Sequence, residues 1–107
     1  MINSKVIQAL EPLNIPIYWI DYNGDEREYI IFQTNNQDDI KHHDDTASAE
    51  QIEIGLIYWF NSPAGALKIN EIKVLMKENG FIKLNEKDIK DEDFYGRSFQ
   101  FRYVKNL

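Results

Sequence analysis

The residues best equipped for chemistry stand together in one polar stretch. His42-His43-Asp44-Asp45 sets two imidazoles beside two carboxylates, ligand types suited to zinc or manganese. Adjacent loop residues seldom converge on one ion, and a fixed site needs supporting hydrogen bonds around its ligands. The neighbouring residues offer none, so the four read as solvated turn residues with at most weak, adventitious metal affinity. Carboxylates cluster again at Asp38-Asp39 and at Asp91-Glu92-Asp93. Paired carboxylates do acid–base work only where burial separates their pKa values, and these segments have little to bury them. Ser4, Ser48, Ser62 and Ser98 lack the strand–turn–helix setting of an activated serine. The 5 glycines are scattered and form no phosphate cradle. With no cysteine, thiol nucleophiles, thiolate metal sites and disulfides are excluded. No catalytic residue, metal site or cofactor is expected, and nothing here proposes an enzyme.

Aromatic residues make up 13% of the chain. Such residues favour strands and cores. However, successive strand side chains point to opposite faces, so neighbours such as Tyr58 and Trp59 cannot both face one core. Some rings must lie on a second face, where an aromatic patch suits a subunit interface.

These side chains need elements to hold them. In residues 49–60, Ile52, Ile54, Leu56, Tyr58 and Phe60 recur at every second position. That spacing predicts a long antiparallel strand with one face packed on helices. Asn3 or Ser4 can cap a first helix ending near Leu10, with Val6, Ile7 and Leu10 as its apolar stripe and Pro12 close behind. A strand over residues 17–21 follows. Asn23-Gly24 predicts a type I′ hairpin turn into a second strand, about 28–34. Residues 35–48 hold a single large apolar side chain, Ile40, and read as an exposed polar loop.

After the central strand, Ser62-Pro63 reads as a helix cap or as a loop into the helix. The spacing of Ile69, Ile72, Leu75 and Met76 predicts a helix over about 67–79, closed by Gly80 in a left-handed conformation. Residues 81–84 read as a short strand and 85–93 as a charged connection. Residues 95–104 form the last strand, with Phe99, Phe101 and Tyr103 inward and Gly96 marking a bulge. The expected fold is α+β: one domain over residues 1–107, with a single antiparallel or mixed sheet of about five strands. Two helices pack on one face, in the order α-β-β-β-α-β-β.

The totals narrow the function. A formal charge of -6, from 18 acidic and 12 basic residues, repels phosphate backbones and argues against general nucleic-acid binding. No apolar run approaches the ~18 residues of a membrane span. The first residues are too short and too polar a run for a signal peptide. The expectation is a protein made and used inside a cell, or built into a particle there.

Read in order, several motifs resemble a known family. They are Tyr22-Asn23-Gly24, Tyr29-Ile30-Ile31-Phe32, Asp44-Asp45, the alternating run from Ile52 to Trp59, Leu75-Met76-Lys77-Glu78-Asn79-Gly80-Phe81, and Phe99-Gln100-Phe101-Arg102-Tyr103. Together they resemble the tail-completion, or tail-terminator, proteins of long-tailed bacteriophages and prophages, also called head–tail joining proteins. Asn61-Ser62-Pro63-Ala64-Gly65-Ala66 departs from the more polar turn of that pattern.

The resemblance implies structural work without catalysis or cofactor. Such proteins assemble as a ring, typically six-membered, on the finished tail tube, stop its growth and meet the head connector. A monomer in isolation is compatible with this. The implied partners are other copies of the chain, the tail tube protein and the head connector protein, with no membrane and no specific nucleic-acid binding. DNA would pass through the ring. The implied location is the host cytoplasm during assembly and then the virion. The residues expected at protein interfaces are Asp38, Asp39, His42, His43, Asp44, Asp45 and Trp59. The alternative is an acidic soluble interaction module, such as an inhibitor imitating DNA charge. Interruption of the acids by Lys68, Lys73, Lys77, Lys83, Lys87 and Lys90 weighs against a mimic.

Overall fold

A computed structural model describes residues 2–22, 24–41 and 47–106. Two helices, α1 (Ile2–Leu10) and α2 (Lys68–Glu78), accompany five strands: β1 (Ile17–Trp19), β2 (Glu28–Lys41), β3 (Ala47–Phe60), β4 (Ile82–Asp91) and β5 (Phe94–Asn106). The strands form one mixed sheet in the order β1-β2-β3-β5-β4. β3 lies at its centre and pairs antiparallel with β2 on one side and β5 on the other. The α+β architecture and the element order are those expected from the sequence.

Alternation along β3 decides where the helices go. Ile52, Ile54, Leu56, Tyr58 and Phe60 are all buried, as are Ile30 and Phe32 of β2 and Phe99 and Phe101 of β5. Val6, Ala9 and Leu10 of α1 and Ile72 and Met76 of α2 close the same core. Both helices therefore cover one face of the sheet. Each large apolar side chain so buried contributes about 1.5–3 kcal/mol. Gly80 takes φ +90 just beyond α2, the left-handed conformation that ends a helix most cheaply with glycine.

Polar contacts tie the start of α2 to the sheet. Ser62 caps a 3-10 turn (Pro63–Leu67) that leads into the helix, its side chain accepting from the Ala64 N–H. The buried Tyr58 hydroxyl donates to the Glu28 carboxylate, and the Gly65 carbonyl lies 3.0 Å away as a second acceptor. Lys68 Nζ completes the chain at 2.9 Å from Glu28. Burial, followed by the adjacent Glu28 carboxylate, pushes the Tyr58 hydroxyl pKa up. Burial works against the Glu28 charge, yet the Tyr58 and Lys68 hydrogen bonds bring its pKa below the ordinary value.

Several expectations are corrected. β1 and β2 are not a hairpin: Ile17, Tyr18 and Trp19 pair in parallel with Ile30, Ile31 and Phe32. The Asn-Gly signal assumes antiparallel neighbours, but here the chain must return to the same end of the sheet. Asn23 itself lies outside the described residues. The polar loop expected over 35–48 is largely strand, because β2 runs to Lys41 and β3 starts at Ala47. Ladder hydrogen bonds, rather than apolar burial, hold this arm. The charged connection expected over 85–93 is mostly β4, which ends in a turn where Glu92 has φ +43. Gly96 marks no bulge and pairs in register with Trp59. The shifts fall between Thr34 and Asn36, between Ile40 and Lys41, and between Lys83 and Asn85. Asn3 and Ser4 lie inside α1 rather than capping it.

The charges of β4 are accommodated by ion pairing. Glu86 receives Lys73 of α2, Lys83 and Arg97, and Arg97 also binds Asp88. The Lys83 hydrogen bond leads, and with Arg97 and Lys73 it holds the Glu86 carboxyl down at about 2 against an ordinary 4.5. The unfolded chain therefore takes up this proton first as pH falls. The stabilisation is whole above about 4.5 and is lost as pH drops towards about 2. Glu86→Gln should lower thermal stability at neutral pH and give a shallower loss of Tm between these two pH values, as read by circular dichroism. Tyr58→Phe should cost about 1.5–3 kcal/mol in urea unfolding, the range for a hydrogen bond to a charged group.

Candidate functional site

The register gives the composition of the uncovered face. Tyr29, Trp59 and Gly96 form one row across β2, β3 and β5, with Ile31, Ile57 and Ser98 in the next. Gln33, Gly55 and Gln100 form the third row. No described helix covers these residues. Trp59 is half-buried because Gly96 beside it has no side chain. A Cβ there would stand 2.8 Å from both the Trp59 ring and Ile89.

One corner of this face is aromatic. Tyr22 stacks on Tyr29 with centroids 3.7 Å apart and planes at 9°. Tyr18 meets Tyr22 edge-on at 4.9 Å, and Phe94 meets Tyr29 at 6.1 Å. The loop between β1 and β2 builds the corner. Ile20 has φ 69, and the Asp21 N–H reaches the Trp19 carbonyl at 2.8 Å, closing a tight turn that ends β1. Positive φ at a β-branched residue costs about 1–3 kcal/mol and persists where its surroundings enforce it. Ile20 is itself held by its N–H donating to the Phe32 carbonyl at 3.0 Å, and on either side of it the Tyr18 and Tyr22 hydroxyls both donate to the Glu26 carboxylate, Tyr22 at 2.7 Å. Hydrogen bonds from Tyr18 and then Tyr22 bring the Glu26 pKa below its ordinary value. Burial, then the bond to Glu26, pushes Tyr22 up to about 12.

Beside this corner lies a shallow hollow of about 270 Å³, floored by Gly55 and flanked by Ile20, Gln33, Asn35, Ser98 and Gln100. The bulge after Thr34 releases Asn35 from the ladder, and its amide folds over Gly55. Gln33 Nε2 donates to Asn35 Oδ1 at 3.0 Å. The hollow carries amides and a hydroxyl but no ionisable group.

The residues expected at interfaces are spread along the molecule. Trp59 is on the uncovered face next to the aromatic corner. Asp38 and Asp39 are exposed on the arm of β2, opposite Gln51 and Glu50, with the Asn36 side-chain amide donating to Asp38 at 2.8 Å. His42, His43, Asp44 and Asp45 lie outside the described residues. Among the described residues, no three His, Asp or Glu side chains converge as metal ligands. No described helix is long and apolar enough to cross a membrane. The Tyr18–Tyr22–Glu26 contact was missed because it depends on the loop folding back. Alternation did signal that Trp59 lies opposite the helix-covered face.

Comparison of the sequence with protein-family models returns no match, and comparison with curated proteins returns none.

The corner makes its own prediction. Glu26→Ala should unstack Tyr22 from Tyr29 and reduce the tyrosine band in near-ultraviolet circular dichroism, with the far-ultraviolet spectrum retained. In the unchanged protein the band should survive acidification through 4.5, the ordinary glutamate value, because Glu26 titrates below it. It should weaken only at lower pH.

Proposed function

We propose that this chain is a structural component that assembles with copies of itself, caps the tail tube of a long-tailed phage or prophage, and joins it to the head connector. The observation that carries the reading is the one-sided sheet. Helices occupy one face, while the other presents Tyr18, Tyr22, Tyr29, Trp59 and Phe94 at one corner and a polar arm at the far end. Aromatic side chains supply large contact area at low entropic cost, as protein interfaces require. The order of motifs along the chain supports the same reading.

The role is one of scaffold rather than catalyst. A ring requires a heterologous contact, in which two different patches of each copy meet. The aromatic corner and the arm are two such patches, at opposite ends of a molecule 52 Å long. Asp38 and Asp39 would then face a neighbouring copy or the channel, where like charge keeps passing DNA from adhering. In this reading the protein is found in the host cytoplasm during assembly and then in the virion. The DNA-mimic alternative requires rows of carboxylates free of cations. Glu28, Glu53, Glu86 and Asp88 are instead each ion-paired.

Electron microscopy of the protein mixed with isolated tail tubes tests the proposal. Density capping one end of each tube is expected, and bare ends at every concentration would overturn it. Replacing Asp38, Asp39, Asp44 and Asp45 by Asn and Ser should impair assembly or genome delivery. Unchanged particle yield and infectivity would remove the arm from the mechanism.

A further inference from the structure

An apolar cleft opens on the helix-covered side, at the end of the sheet away from the arm. Phe60, Pro63, Ala66, Ile69, Ile89 and Tyr95 line its apolar part and Lys90 and the Asp88–Arg97 ion pair its charged part, around a volume of about 610 Å³. Leu67, the residue after Ala66, does not line the cleft. It stands 79% exposed, the most exposed large apolar side chain among the described residues. A knob and a hole thus adjoin on one patch.

Charge is arranged to match. Glu71, four residues beyond Leu67 and in the first turn of α2, is exposed. Lys90, exposed on the cleft rim, holds its ammonium 4.8 Å from the Tyr95 ring centroid. Lys68 beside the knob is paired with Glu28, and Asp88 and Arg97 in the cleft are paired with each other, which leaves Glu71 by the knob and Lys90 by the hole. A patch carrying both halves of a complementary contact is satisfied twice over when two copies meet across a twofold axis.

We propose that this end of the molecule is a two-fold self-association surface, on which Leu67 of each copy enters the cleft of the other and Glu71 faces Lys90 of the second copy. The inference does not rest on the tail reading, since it concerns the protein alone in solution.

Sedimentation equilibrium of the purified chain over a wide concentration range tests it. A monomer–dimer equilibrium is expected. Leu67→Asp should weaken it at least ~30-fold, as for a central interface anchor. The fold should survive, since Leu67 is exposed and directly precedes α2, where a negative charge is favourable. Glu71→Lys and Lys90→Glu should each weaken the dimer by about fivefold, and the double variant should restore it. Circular dichroism melts of all variants, matched to the unchanged protein, separate an interface effect from misfolding. A monomer at every concentration would overturn the proposal and leave the cleft to a different occupant. A dimer indifferent to Leu67→Asp, or a charge swap without recovery, would overturn it by placing the contact elsewhere.

Discussion

The ladder on both sides of β3 is the constraint on which the rest depends. From Ala49 to Phe60 the strand pairs continuously with β5, and along the same length it pairs with β2 across one bulge. A strand bonded on both sides has no freedom to roll, so its two faces are permanently assigned. The face of Ile52, Ile54, Leu56, Tyr58 and Phe60 must then be covered, and α1 and α2 are the only described helices available to cover it. The other face stays open because nothing further in the described chain can reach across it.

The same ladder explains how polar sequence becomes strand. The far half of β2, Asn36 to Asp39, is exposed on both faces and buries almost nothing. It remains extended because its backbone groups pair with β3, which is itself held by β5. β4 solves the related problem of charge. Its Glu86 is drawn on by a helix lysine, a strand lysine and Arg97. A strand that looks too charged for a sheet is thereby fastened to α2. The Tyr58–Glu28–Lys68 chain does the same at the start of that helix. Helix and sheet are thus joined by apolar burial on one side of α2 and by partly exposed ion pairs at its start and its middle.

The loop between β1 and β2 shows a different economy. It turns at a strained Ile20 and folds Tyr22 flat on Tyr29, and Glu26 fastens both tyrosine hydroxyls. The result is a preformed aromatic corner on the one face that the helices leave bare. Ordering side chains before a partner arrives lowers the entropic cost of binding. That arrangement suits the interface role proposed above, whichever partner supplies the other surface.

Much of this was legible residue by residue. Period-two alternation alone placed β3, its buried face and the inward Phe99 and Phe101 of β5. Apolar spacing placed both helices, and Gly80 marked the end of the second. These are local consequences of backbone geometry, which a sequence carries directly. What it could not carry was pairing between distant segments. Asn23-Gly24 looks like a hairpin whichever way the flanking strands run, and residues 35–41 look like a loop until a neighbouring strand is supplied. The parallel β1–β2 pair, the arm, the charged β4 and the tyrosine corner all rest on contacts far apart along the chain or on a loop that doubles back. Only the tertiary structure decides those, because the energy that stabilises them belongs to the partner segment as much as to the residues themselves.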